Sequence, residues 1–367
     1  MKSPSAKAPR NRYIVLSQWT GEALPWNPFD PADTAFPECA YVGGAIAAME
    51  QDLGVHGLTF YITSNLRALP SYGDDVVAIV LSDEWCRIPH YTLDVRAVFK
   101  TYGTQLAMNW RVFARPTPYD LAAFAQDLVT TIRRAPSFVA AARAGARRIV
   151  RGQRLRWPIY DLPLGYFRQL ALPFVPIAER HFDVYFAGSI QNKGAAARPL
   201  NRFTPKFISR ANMLDRLRRI STRRPSLAIA TALTRGFSQT TDDEVTQYSQ
   251  TMMATKICLV PRGTSLETYR YFEGLRAGCV VVTEALPHRR YYDGSPAIRV
   301  RSWSELDELV PLLLADPARL EQLSRASRTW WAEHCSEEVV GSYLAARVRD
   351  GVFGSARSPS PADAMRS

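Results

Sequence analysis

Short apolar segments that are typical of β-strands alternate with helical segments along this chain, in two separate runs. In the first run the apolar segments begin near residues 13, 58, 75 and 95, and in the second near 182, 226, 256, 279 and 297. Between the runs, residues 157–166 contain two prolines and a glycine, which interrupt regular structure. Strands that alternate with helices indicate parallel sheets covered on both faces. The sequence therefore predicts an α/β protein of two Rossmann-like domains with a cleft between them.

The domain boundaries follow from where this alternation starts, pauses and stops. We expect a flexible basic arm over 1–12, an N-terminal domain over 13–160, a linker over 161–180, a C-terminal domain over 181–350, and a disordered tail over 354–367 that is rich in Ser, Pro and Ala. The final helix of the C-terminal segment can pack either on its own domain or back on the N-terminal domain. No apolar run reaches the roughly 20 residues of a membrane-spanning helix, and no segment resembles a signal peptide. These features predict a cytoplasmic protein.

The charge of the chain limits the kind of partner. With 46 basic and 34 acidic residues, the net charge is +12, which attracts nucleotides, nucleic acids or acidic lipid surfaces. The five cysteines form no Cys-x-x-Cys pair, which argues against a zinc site, and their odd number fits poorly with a disulfide framework. Composition thus points to an anionic partner without choosing among the three kinds.

The most informative segment covers residues 256–282, which read as strand, glycine turn, helix, glycine stop and strand. We expect the helix to begin at Ser265, because Thr264 and Glu267 have the spacing of a capping box. Gly278 matches the residue that ends a helix in the left-handed conformation. The pattern therefore predicts a short, well-bounded helix after the turn.

The start of this helix is a candidate anion site. Its unpaired amides and positive dipole end suit a diphosphate, and Gly263 allows a ligand to approach the backbone closely. Arg262 lies in the turn and Arg270 on the helix. Glu273 lies about 12 Å along the axis from the helix start, where a carboxylate can accept hydrogen bonds from a ribose. The alternative is a surface ion pair of Glu273 with Arg270 or Arg276.

A longer pattern surrounds these residues: Tyr248, Lys256-Ile257-Cys258-Leu259, Pro261-Arg262-Gly263, Ser265, Arg270, Glu273, Gly278-Cys279 and Pro287. Residues 248–287 carrying it resemble the exostosin-type glycosyltransferases, and a weaker match extends back to 186–189. The resemblance implies a GT-B fold and metal-independent transfer from a nucleotide-sugar, with no separate cofactor. It also implies that Glu273 holds the donor ribose, while Arg262 and Arg270 lie near the phosphates. We expect a UDP- or GDP-sugar as the donor.

The position of Ser265 bears on the stereochemistry. Retaining GT-B enzymes usually carry a second glutamate eight residues before the ribose-binding one, where this chain has Ser265. Inversion is therefore favoured, and an inverting enzyme needs a general base. Asp83 and Glu84 follow a strongly apolar strand, at the carboxyl end where ligand-facing groups collect. They are the preferred candidates, and the nearby His90 is the next; the alternative for the acidic pair is a solvated turn.

A second turn also suits a phosphate. Gly188-Ser189 ends the first strand of the C-terminal domain, where a glycine turn can wrap a diphosphate. Cations that follow this turn could stabilise a leaving diphosphate as charge builds on it: Lys193, Arg198, Lys206 and Arg210. The alternative is a solvated basic loop.

Together these features predict an enzyme that transfers a sugar to a glycan or a lipid-linked acceptor, as in polysaccharide biosynthesis. The basic arm and the arginine clusters predict peripheral contact with an anionic membrane at its inner face. One alternative is a nucleic-acid-binding protein, which charge alone supports, since no zinc pattern, RNP-like motif or tandem helix-turn-helix is present. Another is a GT-B-like module that binds a glycan without turnover.

Overall fold

The computed structural model describes residues 10–17, 22–30, 33, 35–105, 108–114, 116–153, 155–190, 202–234 and 241–353. Most of the predicted basic arm, the predicted disordered tail, and the candidate phosphate contacts Lys193 and Arg198 lie outside these residues. Within the described part of the chain, no helix combines the length and the apolar character needed to cross a bilayer.

The N-terminal domain is built on a six-stranded sheet. Its strands are β1 (Arg12–Leu16), β2 (Ala23–Pro25), β3 (Thr59–Thr63), β4 (Gly73–Val80), β5 (Val95–Lys100) and β6 (Ile159–Asp161). The order is β2-β1-β3-β4-β5-β6, and every pair is parallel except β1 with β2. β1 begins at Arg12, inside the range predicted as a flexible arm. The residue before it is also held in place, because the buried Asn11 side chain donates a hydrogen bond of 2.8 Å to Glu50 Oε1.

The two faces of this sheet are covered differently. The helix α1 (Cys39–Leu53) packs on one face. On the other face, the loops 64–72 and 81–94 supply Leu66, Leu69 and Tyr91 to a separate apolar cluster. The parallel strands β3, β4 and β5 are thus joined by loops that serve as a packing layer. The segments after β4 and β5 also reach the second domain, at Glu84 and Tyr102 respectively.

A long helix, α2 (Pro118–Val150), connects β5 to β6. Its start is fixed by a capping box, in which Thr117 accepts from the backbone of Asp120 and the Asp120 carboxylate accepts from the backbone of Thr117. The helix runs for 33 residues and continues through Pro136. One side of its first half reaches the C-terminal domain, since Gln126 hydrogen-bonds the carbonyl of Thr264.

The C-terminal domain has a five-stranded, fully parallel sheet in the order β11-β10-β9-β7-β8. Its strands are β7 (Phe182–Gly188), β8 (Ile229–Leu233), β9 (Thr255–Val260), β10 (Val280–Thr283) and β11 (Ile298–Arg299). Its helices are α3 (Pro205–Arg223), α4 (Asp242–Met253), α5 (Tyr269–Arg276), α6 (Leu306–Leu314) and α7 (Pro317–Trp330). The strand order reverses between β7 and β9, and ligands of such sheets bind outside the strand ends at this switch point. The predicted fold class, two α/β domains with parallel sheets, is confirmed.

The last helix, α8 (Glu337–Phe353), returns to the N-terminal domain and packs along α1 and against β5. Two glycines allow the close approach of these helices. A Cβ at Gly341 would lie 2.6 Å from the carbonyl oxygen of Ala45, and one at Gly44 would lie 2.8 Å from Glu337 Cγ. α8 therefore completes the N-terminal domain with residues from the far end of the chain.

The linker is part of the protein core. Phe167 packs in one continuous apolar cluster with Phe60 and Val77 of the first domain and with Tyr185 and Phe272 of the second. Since apolar burial is the main favourable contribution to folding, this shared core holds the domains in a defined relation.

Candidate functional site

Two turns leave the C-terminal sheet at the switch point between β7 and β9. Gly188 ends β7 with a φ of 149°, a conformation that favours glycine, and Arg262 follows β9 in the Pro-Arg-Gly turn. A Cβ at Gly188 would lie 2.7 Å from Arg270 Nη2 and 3.2 Å from Arg210 Nη1. The missing side chain thus lets two guanidinium groups lie against the turn.

Four basic side chains meet at these turns, and we call them the cation cluster: Lys206 and Arg210 from α3, Arg262, and Arg270 from α5. Lys206 Nζ lies 3.2 Å from Ser189 Oγ, and Arg210 Nε donates to the carbonyl of Arg262 at 3.0 Å. Arg210 also donates to the carbonyl of Ser189. Lys206, Arg210 and Arg262 are buried, whereas Arg270 is half-buried. The structure thus brings together four of the residues predicted to bind the donor, while their role in binding stays a prediction.

The cluster carries more positive charge than its surroundings stabilise. Burial and the nearby cation of Arg210, against the attraction of Glu84, together lower the pKa of Lys206 to about 8. Burial and the charge of Arg270 also lower the pKa of Arg210, although a guanidinium stays protonated in proteins. A desolvated cation without a full complement of anions is unfavourable. The cluster is therefore suited to receive a negatively charged ligand.

Carboxylates near the cluster are already engaged. Glu284, directly after β10, accepts hydrogen bonds from the backbone of Arg262 at 2.9 Å and from Ser209 Oγ at 2.6 Å. Burial and the charge of Glu284 raise the pKa of Tyr119 of α2, and the charge of Arg262 opposes them, so this tyrosine lies near both residues. Even so, the Nε atoms of Arg262 and Arg270 are buried with no hydrogen-bond acceptor among the described residues. Buried donors of this kind cost free energy unless a ligand or water supplies an acceptor.

Glu84 faces the cation cluster from the N-terminal domain. It follows β4, and burial raises the pKa of its carboxyl above the ordinary value, against the opposing effects of Lys206 and Thr264. Ser82 and Cys86, two residues before and two after Glu84, have φ values of 67° and 53°. Such left-handed conformations of non-glycine residues occur often at functional sites. Glu84 thus lines the cleft from the N-terminal domain, and Arg262 is the member of the cation cluster that lines it from the C-terminal domain.

The cleft between the two domains is narrow. Its volume is about 50 Å³, below the roughly 300–1,000 Å³ of typical small-molecule sites. Both domains and α2 line it: Glu84, Cys86, Gln105, Gln126, Asp127, Thr130, Arg262, Thr264, Ser265, Leu266, Glu267, Pro287 and Arg289. A nucleotide-sized ligand therefore requires the walls to move apart.

Asp83 does not face the cleft as a candidate base should. Its side chain is buried, with one oxygen accepting from Arg87 Nε at 3.0 Å and the other 3.1 Å from Lys100 Nζ. Lys100 is inaccessible to solvent, so this carboxylate neutralises a buried cation. Our prediction of Asp83 as a base is wrong for this reason. His90 is exposed and does not line the cleft, so only Glu84 of the three candidates lies at the site.

The helix after the Pro-Arg-Gly turn begins later than its sequence predicts. α5 starts at Tyr269, and residues 264–267 are not helical, so the start at Ser265 and the Thr264–Glu267 capping box are wrong. The physical reason is an ion pair, because the buried Glu267 carboxylate lies 3.1 Å from Arg289 Nη2. This pair holds the segment in an irregular conformation. The candidate anion site therefore consists of side-chain cations and does not include amides of a helical first turn at residues 265–267.

Glu273 is enclosed by the linker. Its carboxylate oxygens accept hydrogen bonds from the backbone of Phe167 at 2.9 Å and from the hydroxyl of Tyr248 at 2.5 Å. Burial raises the pKa of this carboxyl. The predicted contact with a ribose is therefore not available in this conformation. The alternative, a surface ion pair with Arg270 or Arg276, is also wrong, since Glu273 is buried and Arg276 donates to Gln169 of the linker.

Two site residues escaped the sequence reasoning. Glu284 had a usable signal, because it directly follows an apolar strand at the carboxyl edge of a parallel sheet. Tyr119 had none, since it belongs to a helix of the other domain, and only the tertiary fold brings it to Arg262.

Comparisons with known proteins add little to this description. No family model and no curated protein matches the chain. A sucrose-phosphate synthase structure from Thermosynechococcus elongatus is 11% identical, with a TM-score of 0.43, over 87% of this chain and 94% of that one. A GtfA/B complex is 12% identical, with a TM-score of 0.37, over 76% of this chain and 58% of that one.

A third structure, the pneumococcal O-GlcNAc transferase GtfA in complex with UDP and GlcNAc, is 9% identical with a TM-score of 0.38. The match covers 85% of this chain and 60% of that one. The chain thus spans less than two thirds of the length of both GtfA-containing structures. Similarities this low carry no argument about activity, which depends on the site itself.

Proposed function

We propose that the chain is a glycosyltransferase that binds the diphosphate of a nucleotide-sugar at the cation cluster. The observation that carries this proposal is the surplus of buried positive charge at the switch point, where Arg262 and Arg270 each have an unpartnered Nε. A diphosphate supplies both the charge and the acceptor oxygens, and arginine pairs with phosphate particularly well. The resemblance of residues 248–287 to exostosin-type enzymes supports the same ligand.

An inverting displacement needs a base for the acceptor hydroxyl and positive charge beside the leaving diphosphate, and the two sides of the cleft offer one each. The oxygen of an acceptor hydroxyl forms the new bond to the anomeric carbon of the donor, while the bond to the diphosphate breaks. Glu84 would accept the hydroxyl proton on one side. The cation cluster on the other side would stabilise the negative charge that develops on the leaving diphosphate. Their positions on opposite sides favour inversion with Glu84 as the base.

The burial of the cluster favours a small ligand over a nucleic acid. Proteins that bind nucleic acids present basic residues on an accessible face or stripe. Here Lys206, Arg210 and Arg262 are buried, and Arg262 lines the cleft between the two domains. The proposed donor is a UDP- or GDP-sugar, and the proposed acceptor is a glycan or a lipid-linked sugar.

A thermal-shift panel of UDP, GDP, dTDP and CMP tests donor binding. A ligand at about 100 times its dissociation constant stabilises a protein by about 2.7 kcal/mol, which raises the melting temperature by several degrees. We expect this response to at least one nucleoside diphosphate, and its loss in Arg270→Gln. The matched control is Arg218→Gln, an exposed arginine on α3. No shift with any diphosphate, or a normal shift in Arg270→Gln, would reject the site.

The role of Glu84 is tested separately. We expect Glu84→Gln to keep the nucleotide-induced shift but to lose about 100-fold or more of acceptor-dependent nucleotide release, the usual contribution of a general base. Since the ionised carboxylate is the base, wild-type turnover should rise with pH through the raised pKa of Glu84. Full turnover by Glu84→Gln would exclude it as the base.

A further inference from the structure

An apolar stripe runs along the side of α2 that faces away from the cleft. Its exposed side chains are Leu121, Leu128, Ile132, Val139 and Ile149, of which Ile132 is 64% accessible. Their spacing of seven, four, seven and ten residues places them on one side of the helix. The opposite side carries Gln126, Asp127 and Thr130, which line the cleft. The helix is about 50 Å long. One of its sides therefore lines the cleft, and the other presents a continuous apolar surface.

Aromatic side chains extend the stripe at the start of α2. Trp110 and Phe113 lie on a short 3-10 helix and are 65% and 72% accessible. Their ring centroids lie 6.4 and 5.4 Å from that of Phe124 on α2. Exposed large aromatic residues beside an amphipathic helix are typical of segments that insert into the boundary of a bilayer.

The charges around the stripe identify its partner. Arg133, Arg143 and Arg147 are exposed on α2, whereas its two acidic residues, Asp120 and Asp127, accept hydrogen bonds within the protein and are not exposed. Two copies of the chain paired through this face would bring arginines together. An anionic lipid surface complements the same arginines, each of which adds to the attraction.

We propose that this face of α2 binds the surface of a membrane that contains anionic phospholipid, with the helix lying in the plane of the interface. The apolar side chains enter the headgroup boundary, and the arginines contact lipid phosphates. Where the proposed function holds, the cleft behind α2 lies beside the bilayer, which places a lipid-anchored acceptor near Glu84. The acceptor class that fits this arrangement is a membrane-held glycolipid.

Flotation of the full chain with phosphatidylcholine vesicles, with and without phosphatidylglycerol, tests the surface. The wild-type protein should float with the anionic vesicles and should remain in the bottom fraction when the vesicles are neutral. Leu128→Gln/Ile132→Gln and Arg143→Gln/Arg147→Gln should each weaken binding at least about tenfold. The control Leu312→Gln removes an equally exposed leucine on α6 and should bind as wild type does.

The inference is overturned if wild type does not bind anionic vesicles, or if the Leu128→Gln/Ile132→Gln variant binds them normally. It is also overturned if gel filtration shows a dimer that this variant dissociates, because the partner is then a second copy. The nucleotide-induced thermal shift should be unchanged in both α2 variants. Membrane binding and donor binding can therefore fail independently of each other.

Discussion

At the scale of single residues, the site depends on charges that the fold has taken out of water. Lys206 is buried beside Arg210 and pairs with Ser189 Oγ. Its ammonium group is held less favourably than in water, which is why its pKa falls from 10.5 to about 8. A diphosphate would reverse this shift by supplying opposite charge at short range. The pKa of Lys206 thus links nucleotide binding to pH.

We expect nucleotide affinity to fall by about tenfold as pH rises through about 8, because a charge-assisted hydrogen bond contributes about 1.5–3 kcal/mol and uncharged Lys206 cannot make one. Calorimetric titration from about pH 7 upward avoids the terminal phosphate ionisation near 6. Lys206→Gln should bind more weakly and show no step near pH 8. The free protein should respond in the opposite sense, gaining stability between about pH 8 and 10.5, since the unfolded chain then binds more protons. A pH-independent wild-type affinity would contradict this role.

At the scale of elements, the turn after β7 and the helices that carry the arginines form one unit. Gly188 is the contact point, because Arg270 and Arg210 occupy the space that a side chain would fill. The unusual φ of this residue adds a second requirement for glycine. Backbone conformation and ligand chemistry therefore depend on the same position.

Gly188→Ala is expected to lower the free energy of unfolding by about 1–3 kcal/mol and to abolish the nucleotide-induced shift, because the new Cβ strains the backbone and displaces Arg270. Gly57→Ala is the control. Gly57 also has a positive φ, of 79°, but nothing lies within 4 Å of its Cβ position. It should lose stability through the backbone alone and bind nucleotide normally. Equal nucleotide responses in both variants would separate Gly188 from the site.

The sequence predicted nine of the eleven strands in the described part of the chain, all but β2 and β6, and the turns after β7 and β9, because these depend on local patterns of apolar residues and glycine. It did not predict the fate of Asp83 or Glu273, since their burial depends on distant partners. Glu273 bonds Phe167, 106 residues away, and Lys100 is buried only by the assembled sheet. A charged residue after a strand has the same local pattern whether it meets a ligand or a buried countercharge.

At the scale of the whole molecule, the two domains share one large apolar cluster, beside a separate cluster in each domain. Residues of both sheets, the linker and α8 belong to one apolar cluster, which includes Val340 and Leu344. Arg289 of the C-terminal domain adds polar contacts with the other sheet. It donates a hydrogen bond to the Tyr102 carbonyl and lies 3.0 Å from Asp161 Oδ1. Unfolding of one domain should therefore expose the core of the other.

Leu344→Ala should destabilise the chain by about 2–5 kcal/mol, as buried leucine truncations do, and chemical denaturation should still show one transition. Tyrosine and tryptophan fluorescence and circular dichroism would follow it. The exposed Glu338→Ala on the same helix should change stability by no more than about 0.5 kcal/mol. Two separate transitions, with only the N-terminal one shifted, would show that the domains unfold independently.

The return of α8 to α1 has a consequence for synthesis on the ribosome. The hydroxyl of Tyr41 on α1 bonds the carbonyl of Cys335, just before α8, across 294 residues of sequence. At about 5–20 residues per second, a nascent chain needs about 15–60 seconds to cover that distance. During this interval the first domain has made its strands but lacks the helix that covers α1. Its apolar surface is then open to chaperones, or to other unfinished chains on the same messenger.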